Sequence, residues 1–204
     1  MSAEPTAVPS NWNIPNALTT LRIVMVPFFA WALLIDGGDS IGWRMVAWAI
    51  FVAAMITDKI DGDLARSRNL VTNFGKIADP IADKTLTGMA FVGLSIIGEL
   101  WWWVTIVVLL REWGITLLRL WVIRYGVMAA GSGGKLKTVL QTVALGLFIL
   151  PLNLLEHPWD EVGMVLWWIA IAFMAAAVTL TVVTGVDYVV KALAVRREGK
   201  AAQA

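Results

Sequence analysis

The chain contains no cysteine and a single histidine, His157. Without thiols there is no disulfide framework, no thiolate nucleophile and no Cys-ligated zinc, and one imidazole cannot build a histidine metal cluster. Charge is scarce as well: 15% of the 204 residues are Asp, Glu, Lys or Arg, where an average soluble domain carries about 25%. The charges cancel to +1, so no nucleic-acid partner is expected. What is abundant is apolar: 59% of the residues are hydrophobic and the mean hydropathy is +0.75. A soluble globule of this size could not hide so much apolar surface from water. The expected class is an all-α integral membrane protein.

Six apolar stretches are long enough for transmembrane helices, which need about 20 residues each: 14–35, 41–65, 75–97, 101–125, 136–155 and 162–190. Residues 1–12 read as a polar, disordered N-terminal tail rather than a signal peptide, residues 13–192 as one six-helix membrane domain, and residues 193–204 as a basic tail. The second and fourth connections with their flanks hold Lys59, Arg66, Arg68, Lys76, Arg124, Lys135 and Lys137. The opposite connections hold mostly acids, Asp36, Asp39, Glu99, Glu156, Asp160 and Glu161, against Arg44. Basic residues are retained on the inside, so both termini are expected to be cytoplasmic.

Charge also enters the spans. In the second, third and fourth, the uncharged runs 45–57, 85–98 and 100–110 are too short to cross a bilayer. Asp58, Asp61, Asp79, Asp83, Arg111, Glu112 and Arg119 are therefore forced to membrane depth or its cytoplasmic rim. Ionised groups there are costly and by default face a polar cavity with partners. In a helix Asp58, Asp61, Gly62 and Ala65 share one face, and Gly75, Asp79 and Asp83 form a second row. Packing the rows together gathers four carboxylates beside small residues that leave room for a large ligand. Such a cluster needs cations, and oxygen-only donors point to Mg²⁺ or Mn²⁺. Two such ions clamp displacements at phosphorus, so metal-assisted phosphoryl chemistry at the cytoplasmic face is expected. Asp63 and Lys59 read as rim. The bland reading of the acids is a solvated helix end, with Asp79-Pro80 as a cap and first-turn proline.

The pattern Asp58-x2-Asp61-Gly62-x2-Ala65-Arg66-x8-Gly75-x3-Asp79-x3-Asp83 resembles the full signature of the CDP-alcohol phosphotransferase family. The resemblance implies a six-helix membrane fold, usually a homodimer, in which the four aspartates bind two divalent ions and Asp83 is the general base. Members join a CDP-linked lipid or alcohol to a second alcohol and release CMP. Further stretches, 13–22, 69–84, Arg111-Glu112 with Thr116 and Arg119, 134–138 with Gln141, and 183–188, resemble the branch that forms phosphatidylglycerophosphate. That implies CDP-diacylglycerol and sn-glycerol 3-phosphate as substrates, at the plasma membrane. Asn16, Thr19, Thr57, Gly62, Ala65, Arg66 and Gly75 are then candidates around the CDP moiety.

Arg111, Arg119, Lys135 and Lys137 put positive charge near the site and suit a phosphate-bearing acceptor better than a cationic one. Arg111 could instead pair with Glu112. Arg22 and Arg124 read as interfacial snorkellers, Asp187 as the partner of a basic residue, and His157 as a loop residue without a catalytic role. Two alternatives stand beside this reading: a sibling enzyme using inositol 1-phosphate, and a divalent-cation carrier. A carrier needs access from both sides, whereas these charges gather in one leaflet.

Overall fold

The computed structural model of the chain describes residues 13–67, 72–122, 134–156 and 158–201. They hold six α-helices: α1 (Ile14–Leu34), α2 (Ile41–Ser67), α3 (Asn73–Ile96), α4 (Trp102–Val122), α5 (Gly134–Ile149) and α6 (Asp160–Ala201). Two 3₁₀ turns, Ile35–Gly38 and Leu152–Leu154, complete the regular structure, and no strand occurs among the described residues. The helices fall into two compact units. The first runs to Gly93 and includes Ile149–Pro151; the second comprises Leu94–Phe148 and the chain from Leu152 onward.

Four segments are long and apolar enough to cross a membrane: Ile14–Gly38, Ile41–Leu64, Gly134–Leu154 and Asp160–Arg197. Leu21, Phe28, Trp31, Val183, Val186 and Val190 lie exposed on them, which is tenable in lipid and not in water. The chain is a membrane protein. The other two helices do not qualify, for the reason already visible in their charges. Any 18-residue stretch of α4 carries Arg111, Glu112 and Arg119, and the first half of α3 holds Lys76, Asp79, Asp83 and Lys84.

In the first unit, α1 starts on Asn13, whose side chain accepts a hydrogen bond from the Asn16 backbone N–H at 2.9 Å, with Pro15 in the first turn. The chain reverses through Asp36 (φ 53°) and Gly37 (φ 67°). A non-glycine residue in that region is uncommon, and Asp is among those that tolerate it. The turn returns α2 along α1, and the two pack closely. Phe29 and Phe51, 6.0 Å apart between ring centres, are buried with Leu33, Leu86 and Phe91. Ala32, Ala47, Ala54, Ala82 and Ala90 are buried too, as expected where helices associate in lipid by close approach. Arg44 is 1% exposed and donates to the carbonyls of Gly38, Ile149 and Leu150. It ties the α1–α2 turn to the Ile149–Pro151 segment of the same unit.

The second unit is built on the packing of α4 against α6. Val104, Val108, Met174, Ala177 and Ala192 are buried, and the Ser95 and Thr105 hydroxyls pair at 2.7 Å. At the start of α6, Gly163 sits against the Leu152 carbonyl so closely that a Cβ there would collide with it. α6 continues beyond the apolar run that ends near residue 190 as far as Ala201. At 1.5 Å per residue it is about 60 Å long, roughly twice the bilayer core.

Candidate active site

In the first unit the site is organised by α1. Asn16, Thr19 and Arg22 recur every three residues on a largely apolar helix, and all are buried, to 5%, 1% and 1% exposure. Each reaches a different part of the acidic region. The Asn16 amide donates to Thr72 Oγ1 at 2.9 Å. Thr72 is the cap of α3, its hydroxyl accepting from the Gly75 backbone N–H at 3.0 Å. Thr19 Oγ1 donates to Asp79 Oδ1 at 2.6 Å. Arg22 divides its guanidinium: one terminal nitrogen binds Asp58 Oδ1 and the other binds Asp61 Oδ2 at 2.6 Å.

Arg22 corrects the sequence reading. A snorkelling arginine keeps its head in water, yet the Arg22 side chain has 0% exposure. A cation so deep needs counter-charge, and Asp58 and Asp61, one turn apart on α2, supply it. Asp61 is nearly fully buried and feels the charges of Arg22, Asp58 and Asp79, while the Asp58 side chain remains 42% exposed. Asp83, one turn beyond Asp79 on α3, is half-buried, and its carbonyl accepts from Thr87 Oγ1 at 2.7 Å. Asp63 and Lys59 are exposed. Among the described residues no group of three or more acids closes into a ready-made metal cage.

Gly75 lies against Asn16 of α1. A Cβ there would lie 2.9 Å from Asn16 Oδ1 and 3.4 Å from Thr72 Oγ1, so the glycine admits the side chain of α1. The Thr57 hydroxyl is spent on the Ala53 carbonyl of its own helix at 2.6 Å. Gly62 is half-buried. Ala65 and Arg66 belong to α2, but their side chains fall outside the described residues, as do that of Arg119 on α4 and the whole of His157 and Arg124.

The second unit carries the other polar cluster. Arg111 donates to Glu112 Oε1 at 2.9 Å and to Thr184 Oγ1 at 2.9 Å, with its guanidinium 5.9 Å from the centre of the Tyr188 ring. Lys137, 4% exposed, binds the same Glu112 oxygen. Gly185 lets the Arg111 stem pass, since a Cβ there would lie 3.3 Å from Arg111 Cγ. Two of the four expected acceptor-binding cations thus meet on one carboxylate, whereas Lys135 is exposed. In the sequence Thr184 and Gly185 stand out only as part of the stretch 183–188. Asp187 pairs with Lys191 at 2.6 Å, one turn along α6.

Residues 12–183 match the model of the CDP-alcohol phosphatidyltransferase family. The chain belongs to that family. A probable phosphatidylglycerophosphate synthase of Mycobacterium tuberculosis H37Rv is 55% identical over 181 residues, covering 89% of this chain and 82% of the relative. A CDP-diacylglycerol–glycerol-3-phosphate 3-phosphatidyltransferase of Bacillus subtilis is 37% identical over 190 residues, covering 87% and 93%. A protein of the same name from Salmonella paratyphi A is 37% identical over 178 residues, covering 83% and 90%. The enzyme is therefore a phosphatidyltransferase by family.

Proposed function

We propose that this enzyme transfers the phosphatidyl group of CDP-diacylglycerol to the 1-hydroxyl of sn-glycerol 3-phosphate, giving phosphatidylglycerophosphate and CMP. The observation that carries the reading is the α1 strip, on which Thr19 binds Asp79 and Arg22 binds Asp58 and Asp61. The names of the relatives supply the substrates.

The donor set suits a hard divalent cation: carboxylate oxygens, with hydroxyl and amide groups around them and no sulfur or imidazole. An open set also suits Mg²⁺, which keeps waters and takes one or two carboxylates together with substrate phosphates. In this reading Asp58, Asp61, Asp79 and Asp83 hold two ions, Mg²⁺ or Mn²⁺. Bound there, the ions neutralise the pyrophosphate of the CDP-lipid and the charge developing on CMP. Asp83 takes the proton of the glycerol 1-hydroxyl. That oxygen forms its bond to the phosphorus bearing diacylglycerol, and the bond from this phosphorus to the CMP oxygen breaks. Asn16, Thr19, Gly62, Ala65 and Arg66 surround the CDP moiety. Thr57 and Gly75 act at one remove, through the α2 backbone and through Asn16. Arg111 and Lys137 hold the acceptor phosphate, with Arg119 and Lys135 as further positive charge, and Glu112 keeps the first two together.

The wider reading has six spans, both termini and the active site on the cytoplasmic side of the plasma membrane, and a homodimer. The basic residues concentrated on alternate connections support the orientation. The test is CMP release by purified protein with CDP-diacylglycerol and Mg²⁺, offered glycerol 3-phosphate, inositol 1-phosphate, inositol or serine separately. Release with glycerol 3-phosphate alone is expected. Release with inositol 1-phosphate instead would move the enzyme to a sibling reaction.

A further inference from the structure

Among its described residues the first unit contains two fully buried arginines, Arg22 and Arg44. Arg44 donates to the backbone carbonyls of Gly38, Ile149 and Leu150, and so joins chain segments. Every hydrogen bond that Arg22 makes among the described residues goes to Asp58 or Asp61, and its Nε has no partner. A residue whose work was to fasten α1 to α2 could do so with a carbonyl or a single acid. Arg22 instead straddles two acids that share one face of α2.

We propose that Arg22 is a positioning residue for the metal-binding carboxylates, a role that rests on the metal reading above. Asp58 and Asp61 are three residues apart on a helix, a spacing at which like charges repel. Left alone in a low-dielectric slot, such a pair swings apart. The guanidinium is planar and presents its donors as a rigid fork, so it binds both carboxylates at once and holds them side by side. It takes one oxygen from each, Oδ1 of Asp58 and Oδ2 of Asp61, and leaves the other oxygen of each outside the fork. The trio of one cation and two anions keeps a net charge of −1, so it still attracts a cation. Partners of this kind, which orient ligating groups without touching the ion, typically contribute 10–100-fold in metal affinity.

Lysine is the informative replacement, because it keeps the charge but cannot span two carboxylates as a fork. Mn²⁺ binding to the full chain in detergent, read from the free-ion EPR signal, is compared in the wild type, R22K, R44K and D61N. The expected result is an Mn²⁺ affinity about 10–100-fold weaker in R22K, weaker affinity in D61N, and unchanged affinity in R44K. Saturating Mn²⁺ returns the CMP-release turnover of R22K towards wild type, a rescue that a purely structural defect would not show. Unchanged or tighter Mn²⁺ binding in R22K, with D61N still weakened, overturns the positioning role and leaves the metal reading standing. If D61N binds Mn²⁺ as the wild type does, the metal reading falls and this proposal falls with it.

Discussion

Replacing Gly75 by alanine tests how α1 is joined to the start of α3. The added Cβ would lie 2.9 Å from Asn16 Oδ1 and 3.4 Å from Thr72 Oγ1. The first distance requires a shift, and the atom that must move belongs to an amide only 5% exposed and bonded to Thr72. Displacing Asn16 strands a buried amide, at about 1–3 kcal/mol, and disturbs the Thr72 cap, worth about 1 kcal/mol. Alanine returns about 1 kcal/mol by its better helix propensity. The net expectation is a loss of about 1–3 kcal/mol in G75A. In an Asn16→Ala background the obstacle is gone and only the propensity gain remains. The double-mutant cycle should therefore show a coupling of about 2–4 kcal/mol, measured by denaturant unfolding in mixed micelles and followed by tryptophan fluorescence. Additivity within about 0.5 kcal/mol would refute the claim that Gly75 exists to admit Asn16. CMP release should fall in G75A as well, because Asp79 lies one turn further along the same helix.

Three further expectations follow from the same contacts. Asp83→Asn should retain CDP-lipid binding but lose turnover by about 10²–10⁴-fold, the usual contribution of a proton acceptor; near-normal CMP release would remove Asp83 from that role. Glu112→Gln should destabilise the protein by on the order of 1–3 kcal/mol, since Arg111 and Lys137 lose a shared carboxylate. That is less than for a fully buried pair, because the Glu112 side chain is 25% exposed, and unfolding at wild-type denaturant concentrations would contradict it. Lys137→Ala should raise KM for glycerol 3-phosphate at least about tenfold, the scale of a charge-assisted phosphate contact. Lys135→Ala, at an exposed position, should change it far less, and equal effects would remove the distinction drawn between the two lysines.

Helix positions were largely legible because apolar runs bounded by Gly, Pro and charge are a strong signal. The ends were less so, for identifiable reasons. Hydropathy locates where a helix sits in lipid and not where it stops. α6 therefore runs on to Ala201, through Ala, Lys and Arg that favour helix without being apolar, while α5 ends at Ile149 and the apolar run continues past Pro151. The acidic rows on α2 and α3 could be read from spacing alone. Arg22 could not, since its partners lie 36 and 39 residues away and a lone basic residue in an apolar helix looks like a snorkeller. The overlooked signal was the set Asn16, Thr19 and Arg22, polar at every third position of α1. Glu112 was noticed beside Arg111, but its second partner, Lys137, comes from a different helix 25 residues away. Gly75 reads in the sequence as a contact of the CDP moiety; that a Cβ there would meet Asn16 depends on a packing of α1 that spacing does not reveal.

Transfer of a phosphatidyl group to glycerol 3-phosphate is read out in full by following both products at once. Purified protein would be given CDP-diacylglycerol, Mg²⁺ and radiolabelled glycerol 3-phosphate, with CMP and lipid-extractable label measured together. One label should enter the lipid fraction for each CMP released, and neither product should form when the divalent ion is chelated. CMP released without label in lipid, or equal rates in the presence of chelator, would contradict that reaction.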